Sequence, residues 1–262
     1  MFNSLIASIY LFSNRIFRAV HGGSQALFEG FWMGLLPESV YDVISQQSYG
    51  EGKPYTNAQY LDSGFHFWED VAVRQNFTPC SRVLVAAAGG GRELIALTRS
   101  GFEAAGFECS RAMVEAGKRA LVERGIAANL DWAPPCVVPP PPDRKFDAMI
   151  VGWNGYCYIS PRDRRIAFMK SLREQLQPGS PILLSTAIRT PAARLPVWTA
   201  RVANAVRACT FRAMVFEPGD TFPGRPKIHF TRRQLEGELG EAGFTPIRFY
   251  VWGGYGAVTA KS

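Results

Sequence analysis

Between Val83 and Glu93 an apolar run, Val83 to Ala88, leads straight into Gly89, Gly90 and Gly91, and then into Arg92 and Glu93. Glycine reaches φ > 0 without a Cβ clash and lets a ligand approach bare backbone. A helix starting at Arg92 would aim unpaired N–H groups and a partial positive charge at the same point. A second chemical group ends the next apolar run, Phe102 to Phe107: the carboxylate of Glu108. In a doubly wound sheet that position faces the ribose of a nucleoside bound over the first turn, where a carboxylate accepts from the ribose hydroxyls. A dinucleotide fits less well. Counted from Gly89 and Gly91, its third glycine falls where the chain has Leu94. The chemistry indicated is recognition of one nucleoside with a small charged tail.

Few side chains offer acid–base or metal chemistry. His21, His66 and His229 are the histidines. Each is a candidate general base, and each equally suits a structural or capping role. His229, just before Phe230 and Thr231, is the candidate carried forward. Tyr49, Tyr55 and Tyr60, with His66 and Trp68, suit a substrate wall or the core of a cap. Cys80, Cys109, Cys136, Cys157 and Cys209 form no CxxC pair and stand beside no histidine at ligand spacing. They read as reduced thiols, with no metal site expected.

The elements that must position these groups follow from the periodicity. Short apolar runs alternate with amphipathic helices from about residue 80 onward, which implies a parallel sheet covered on both faces. Strands are expected over 81–86, 102–107, 127–130, 146–151 and 181–186. Helices are expected over 92–99, 110–124, 162–177 and 231–242, with Ser110 as an N-cap. The proline-rich stretch Pro134 to Pro142 is a connector. Residues 245–252 and 256–260 read as a terminal antiparallel hairpin. The stretch 188–228 is long for a connection and carries a helical pattern near Trp198 to Arg212, as lid-like insertions do. Residues 1–76 lack the alternation and read as a helical N-terminal cap; residues 77–262 form the main domain. Cap and insertion are expected to close over the carboxyl ends of the strands.

Composition narrows the partners. The net charge is +7, but the arginines are scattered, and Arg162, Arg164 and Arg165 fall on a helical face. A nucleic-acid surface is therefore the lesser reading. Phe2, Leu5, Ile6, Ile9, Phe12, Ile16 and Val20 recur at helical spacing. That stripe packs on its own domain or, as the second reading, makes peripheral membrane contact. It lacks the basic start of a signal peptide, and the expected location is cytoplasmic.

Five segments together resemble the class I, Rossmann-like S-adenosylmethionine (SAM)-dependent methyltransferases. They are the glycine-rich turn, Gly106 to Arg119, Phe146 to Trp153, Leu176 to Leu184, and Phe230 to Phe244. The resemblance implies a seven-stranded sheet of order 3-2-1-4-5-7-6 with the last strand antiparallel, and SAM as cofactor. Ala87, Gly89 and Gly91 would border the methionine end and Glu108 would hold the ribose. Cys109 would flank the adenine, Asp131 would bond it, and Gly152 and Trp153 would face cofactor and substrate. Two positions depart: Val85 replaces a usual acid and Ala87 a usual glycine. Nucleobase-methylating marks are missing, since Gly152-Trp-Asn-Gly155 follows the fourth strand and Pro135-Cys136 precedes it. The implied activity is methyl transfer to an O or N atom of a small molecule. The alternatives are a non-catalytic partner protein of this fold, suggested by Val85 and Ala87, and an RNA methyltransferase, suggested by charge alone.

Overall fold

The computed structural model describes residues 20–37, 40–44, 53–79, 81–140, 142–211 and 215–262. The expectations for Phe2 to Ile16, Tyr49, Cys80 and Arg212 lie outside these residues.

Alternation of apolar side chains makes β1 (Arg82–Ala86) a strand buried on both faces. Leu84 and Ala86 enter one core, and Val83 and Val85 the other. Each fully buried valine or leucine contributes about 1.5–3 kcal/mol over an exposed one. Around β1 lie β2 (Glu103–Glu108), β3 (Asn129–Trp132), β4 (Ala148–Val151) and β5 (Pro181–Ala187), all parallel. The chain ends in a hairpin, β8 (Thr245–Trp252) and β9 (Tyr255–Lys261), with β9 antiparallel to β5. The sheet order is β3-β2-β1-β4-β5-β9-β8. This is the expected order and sense, because β8 and β9 are the sixth and seventh strands of the sheet. A separate ribbon, β6 (Asp220–Thr221) and β7 (Lys227–Ile228), lies in the insertion.

One face of the sheet is covered by α5 (Phe67–Asn76), α6 (Arg92–Arg99) and α7 (Arg111–Glu123). The other carries α8 (Arg162–Glu174) and α10 (Arg232–Glu241). Two of these helices begin as their sequences dictate. Ser110 Oγ accepts from the Met113 N–H at the start of α7. At α10, Thr231 and Gln234 bond reciprocally as a capping box.

The N-terminal segment is split between two cores. Leu61, at the end of the short α4 (Ala58–Leu61) that follows α3 (Lys53–Thr56), joins Ala72 and Val73 of α5 in the core of the main sheet. Residues of 60–73 thus pack in the core of the main sheet. Further upstream, α1 (20–35) packs on α9 (Leu195–Cys209) of the insertion. A Cβ on Gly30 would lie 2.7 Å from the Thr199 carbonyl, and one on Gly34 would lie 2.6 Å from that of Ala203. Met33 of α1 and Tyr41 of α2 (40–44) share a small core with Ala200, Ala203 and Phe216. No helix among the described residues is long and apolar enough to cross a membrane.

Candidate functional site

A cleft opens at the carboxyl ends of β1, β2 and β4. Its floor is the turn between β1 and α6. Gly89 (φ 57°) and Gly91 (φ 95°) adopt left-handed backbone that other residues reach only with strain. Ala87 does so too, at φ 54°. Its conformation is imposed by close packing: a Cβ on Gly152 would lie 2.3 Å from the Ala87 carbonyl, and one on Gly155 2.6 Å from the Ala87 methyl. Gly91 is the N-cap of α6. Gly91 and Gly152 thus shape the backbone, while Ala87, Gly89, Glu108 and Trp153 line the cleft.

Glu108 is buried and held by backbone. One carboxylate oxygen accepts from the Gly89 N–H at 3.0 Å. The other accepts from Cys109 and Ser110 at 2.8 and 2.9 Å. A carboxylate offers about four acceptor positions, so these three bonds orient it and leave room for about one ligand hydroxyl. The same bonds tie the end of β2 to the glycine turn, so the anion and the bare backbone form one unit.

From Glu108 the cleft continues along Cys109, Pro134, Pro135 and Cys136. Burial, then the neighbouring Glu108 carboxylate, pushes the Cys109 thiol well above its ordinary value; burial lifts that of Cys136 to about 11. Both stay protonated and unreactive near neutral pH. Asp131 is not in this wall. It lies within β3 rather than past it, its side chain is 72% exposed, and it faces Lys118 at 3.7 Å. The strand runs two residues further than its apolar pattern suggested, which turns Asp131 outward and brings the connector to the cleft.

His229 is also elsewhere. Its backbone is fixed by Gly219 and Arg189, and its ring lies beside Thr221 of the insertion ribbon. Burial, with Lys227 nearby, lowers it to about 4. His66 falls to about 4 as well, through burial and then the Arg92 charge. Its ring lies 4.8 Å from that of Trp153, at the rim of the cleft. His21 sits exposed on α1.

Tyr60, one of the aromatic wall candidates, lines the cleft. Other lining residues had not been assigned to a site from sequence: Glu93 stands beside Tyr60, with Asn154, Gly155 and Tyr158 also bordering the cleft and Asp42 at its far end. Burial, then the Glu93 carboxylate, pushes the Tyr60 hydroxyl up to about 12, so it remains a neutral donor. Glu93 is anchored by Arg92, whose guanidinium also pairs with Glu69 of α5 at 2.8 Å, all three being buried. Glu93 was legible as the first helical residue with a carboxylate after the glycines. Asp42 was not: it meets Arg164 of α8 across 122 positions.

The turn at Gly155–Tyr158 is braced from beneath. Tyr156 donates to Glu238 of α10 at 2.6 Å, and Arg165 pairs with the same carboxylate at 2.7 Å. Cys157 Sγ lies 2.8 Å from Thr186 Oγ1 and accepts from the Ala187 N–H. Arg225 of the insertion covers the Tyr158 ring at 3.9 Å. The N-terminal residues Asp42, Tyr55 and Tyr60 do border the cleft, whereas no described residue of 188–228 lines it. Arg225 of the insertion supports the wall from outside, while the insertion's helix α9 packs through Val202 and Val206 on Gly30 and Gly34 of α1.

Solved structures share this fold. A SAM-dependent methyltransferase from Methanosarcina mazei superposes with a TM-score of 0.60 over 76% of this chain and 98% of its own, at 14% identity. The chain has the SAM-dependent methyltransferase fold. The 1,6-didemethyltoxoflavin-N1-methyltransferase of Burkholderia thailandensis, solved with its substrate and S-adenosylhomocysteine, gives a TM-score of 0.61 at 15% identity, over 87% of this chain and 91% of its own. The cyclase SpnF gives 0.59 at 16% identity, over 83% and 94%. No family model and no curated protein matches the chain in sequence.

Proposed function

We propose that the cleft binds SAM and that the chain transfers its methyl group to an O or N atom of a small-molecule acceptor. The observation that carries this is the joined Gly89–Glu108 unit at the carboxyl edge of a sheet of this order. The residues suit the cofactor. Bare backbone at Gly89 leaves space beneath a ligand, since a Cβ there would meet only Met113 at 3.2 Å. Carboxylates at Glu108 and Glu93 favour a ligand with hydroxyls and positive charge. Apolar connector residues suit a flat base.

SAM supplies an activated methyl group when bound. What remains for the chain is alignment and exclusion of water. Tyr60 can donate a hydrogen bond from a hydroxyl that does not ionise. Trp153 walls the side from which an acceptor enters. Val85 removes no contact from the cleft, because its side chain is fully buried in the apolar core, where an unpaired carboxylate would be costly. The neighbours named above include a small-molecule methyltransferase, which supports that acceptor class. The cyclase among them makes methyl transfer a claim for experiment. Calorimetric titration with S-adenosylhomocysteine tests the first half: saturable one-to-one heat supports it, and no heat from folded protein overturns it. Methyl release from labelled SAM to a small-molecule extract, absent with RNA, tests the second.

A further inference from the structure

Beside the cleft lies a second cavity, of about 190 Å³, walled by Trp68 and Val71 of α5 and by Tyr250, Trp252 and Tyr255 of the terminal hairpin. Its aromatic rings form a continuous series with the cleft. Trp153, which lines the cleft, lies 4.6 Å from Tyr255 and 5.2 Å from Trp68, ring centre to ring centre. Trp68 in turn lies 5.9 Å from Trp252. The hairpin turn belongs at this edge, since Tyr255 pairs with Ala187 at the carboxyl end of β5.

Large aromatic rings gathered at a surface are costly unless they meet a ligand. Trp252 is 56% exposed and Tyr255 37%. No charged side chain lines the cavity. A cationic ligand would leave its counter-charge outside, whereas a neutral flat ring gains stacking on several faces. The volume lies below the roughly 300 Å³ at which pockets for drug-sized ligands begin, which suits one or two fused rings.

We propose that this aromatic slit seats the acceptor, a neutral planar molecule of one or two fused rings, whose reacting O or N atom extends past Trp153 into the cleft. The assignment of the slit as an acceptor site rests on the SAM reading of the cleft. The slit itself is defined by its own residues.

Equilibrium dialysis of the full chain against 2-naphthol and against its saturated, non-planar analogue decahydro-2-naphthol tests this, with and without S-adenosylhomocysteine. A flat ring system stacks on these aromatic faces and a puckered saturated one does not, so 2-naphthol should bind roughly tenfold tighter than the saturated alcohol. Trp252→Ala should weaken 2-naphthol roughly tenfold and leave S-adenosylhomocysteine binding as it is. Trp198→Ala, on α9 and 54% exposed, should change neither. Thermal melts establish that both variants are folded. Equal binding of the two alcohols, or unchanged 2-naphthol affinity in Trp252→Ala, overturns the proposal. If S-adenosylhomocysteine binds and 2-naphthol does not, the slit fails and the cofactor reading stands. If selective 2-naphthol binding persists without any S-adenosylhomocysteine binding, the cofactor reading fails and with it the acceptor role.

Discussion

Ala87→Gly acts at a strained non-glycine residue in the turn that floors the cleft. Ala87 holds φ at 54°, where a Cβ crowds the following carbonyl. An L-residue with a Cβ gives up about 1–2 kcal/mol there, and glycine does not. Against this, glycine widens the unfolded ensemble, at about 0.4–1 kcal/mol. The methyl is only half-buried at the cleft, so little apolar burial is lost. The net expectation is stabilisation of about 0.5–1 kcal/mol. Urea unfolding should show a higher midpoint with an unchanged slope. The same change removes the methyl at the ligand-facing turn, so S-adenosylhomocysteine should bind at least as tightly. A lower midpoint at unchanged slope would refute the strain argument, and weaker binding would show that the methyl makes a ligand contact.

Other perturbations test the surrounding structure. Glu69→Ala strands the buried Arg92 beside Glu93 alone and should cost about 3–5 kcal/mol in unfolding free energy, as broken buried pairs do; a loss below 1 kcal/mol would mean the pair relaxes into water. Gly34→Ala should destabilise, because its methyl meets the Ala203 carbonyl at 2.6 Å, while Gly22→Ala on the same helix, with nothing within 4 Å, should stabilise by up to about 1 kcal/mol; thermal melts of the two variants should shift in opposite directions. His66 and His229, both lowered from 6.5 to about 4, should keep neutral imidazoles at pH 5.5 by NMR titration. The unfolded chain binds those protons first, so this contribution to stability is lost as pH falls from about 6.5 to about 4. Asp220 works the other way: burial raises its carboxyl to about 6, so its contribution is lost as pH rises from 3.8 through that value. Protonation of either histidine near pH 6.5 would contradict its burial.

Local chemistry made much of the sheet legible. Three successive glycines after an apolar run left one plausible turn, and Ser110 and Thr231 announced their helices through side-chain caps. Long-range packing was not legible. Gly30 and Gly34 look like helix-weakening residues until Thr199 and Ala203 of the insertion are placed against them. The two-residue strands β6 and β7 are too short for any alternation to show. Asp131 was misplaced because a short edge strand carries few apolar side chains, so its end could not be fixed from periodicity. The aromatic residues of 60–68 left pocket and core open as readings. The structure divides them: Tyr60 lines the cleft, while His66 and Trp68 stack toward Trp153.

The cofactor claim rests on Glu108, and titration of S-adenosylhomocysteine into the native chain and into Glu108→Gln measures it most directly. Glutamine keeps the shape but removes the charge and sets an amide NH2 against one of the backbone N–H groups of Gly89, Cys109 or Ser110. The native chain should bind with one-to-one stoichiometry, and the variant, folded by its melt, should bind about 1–3 kcal/mol more weakly, roughly 5- to 150-fold. Absence of binding to the native chain, or equal affinity in the variant, would contradict the assignment of this cleft.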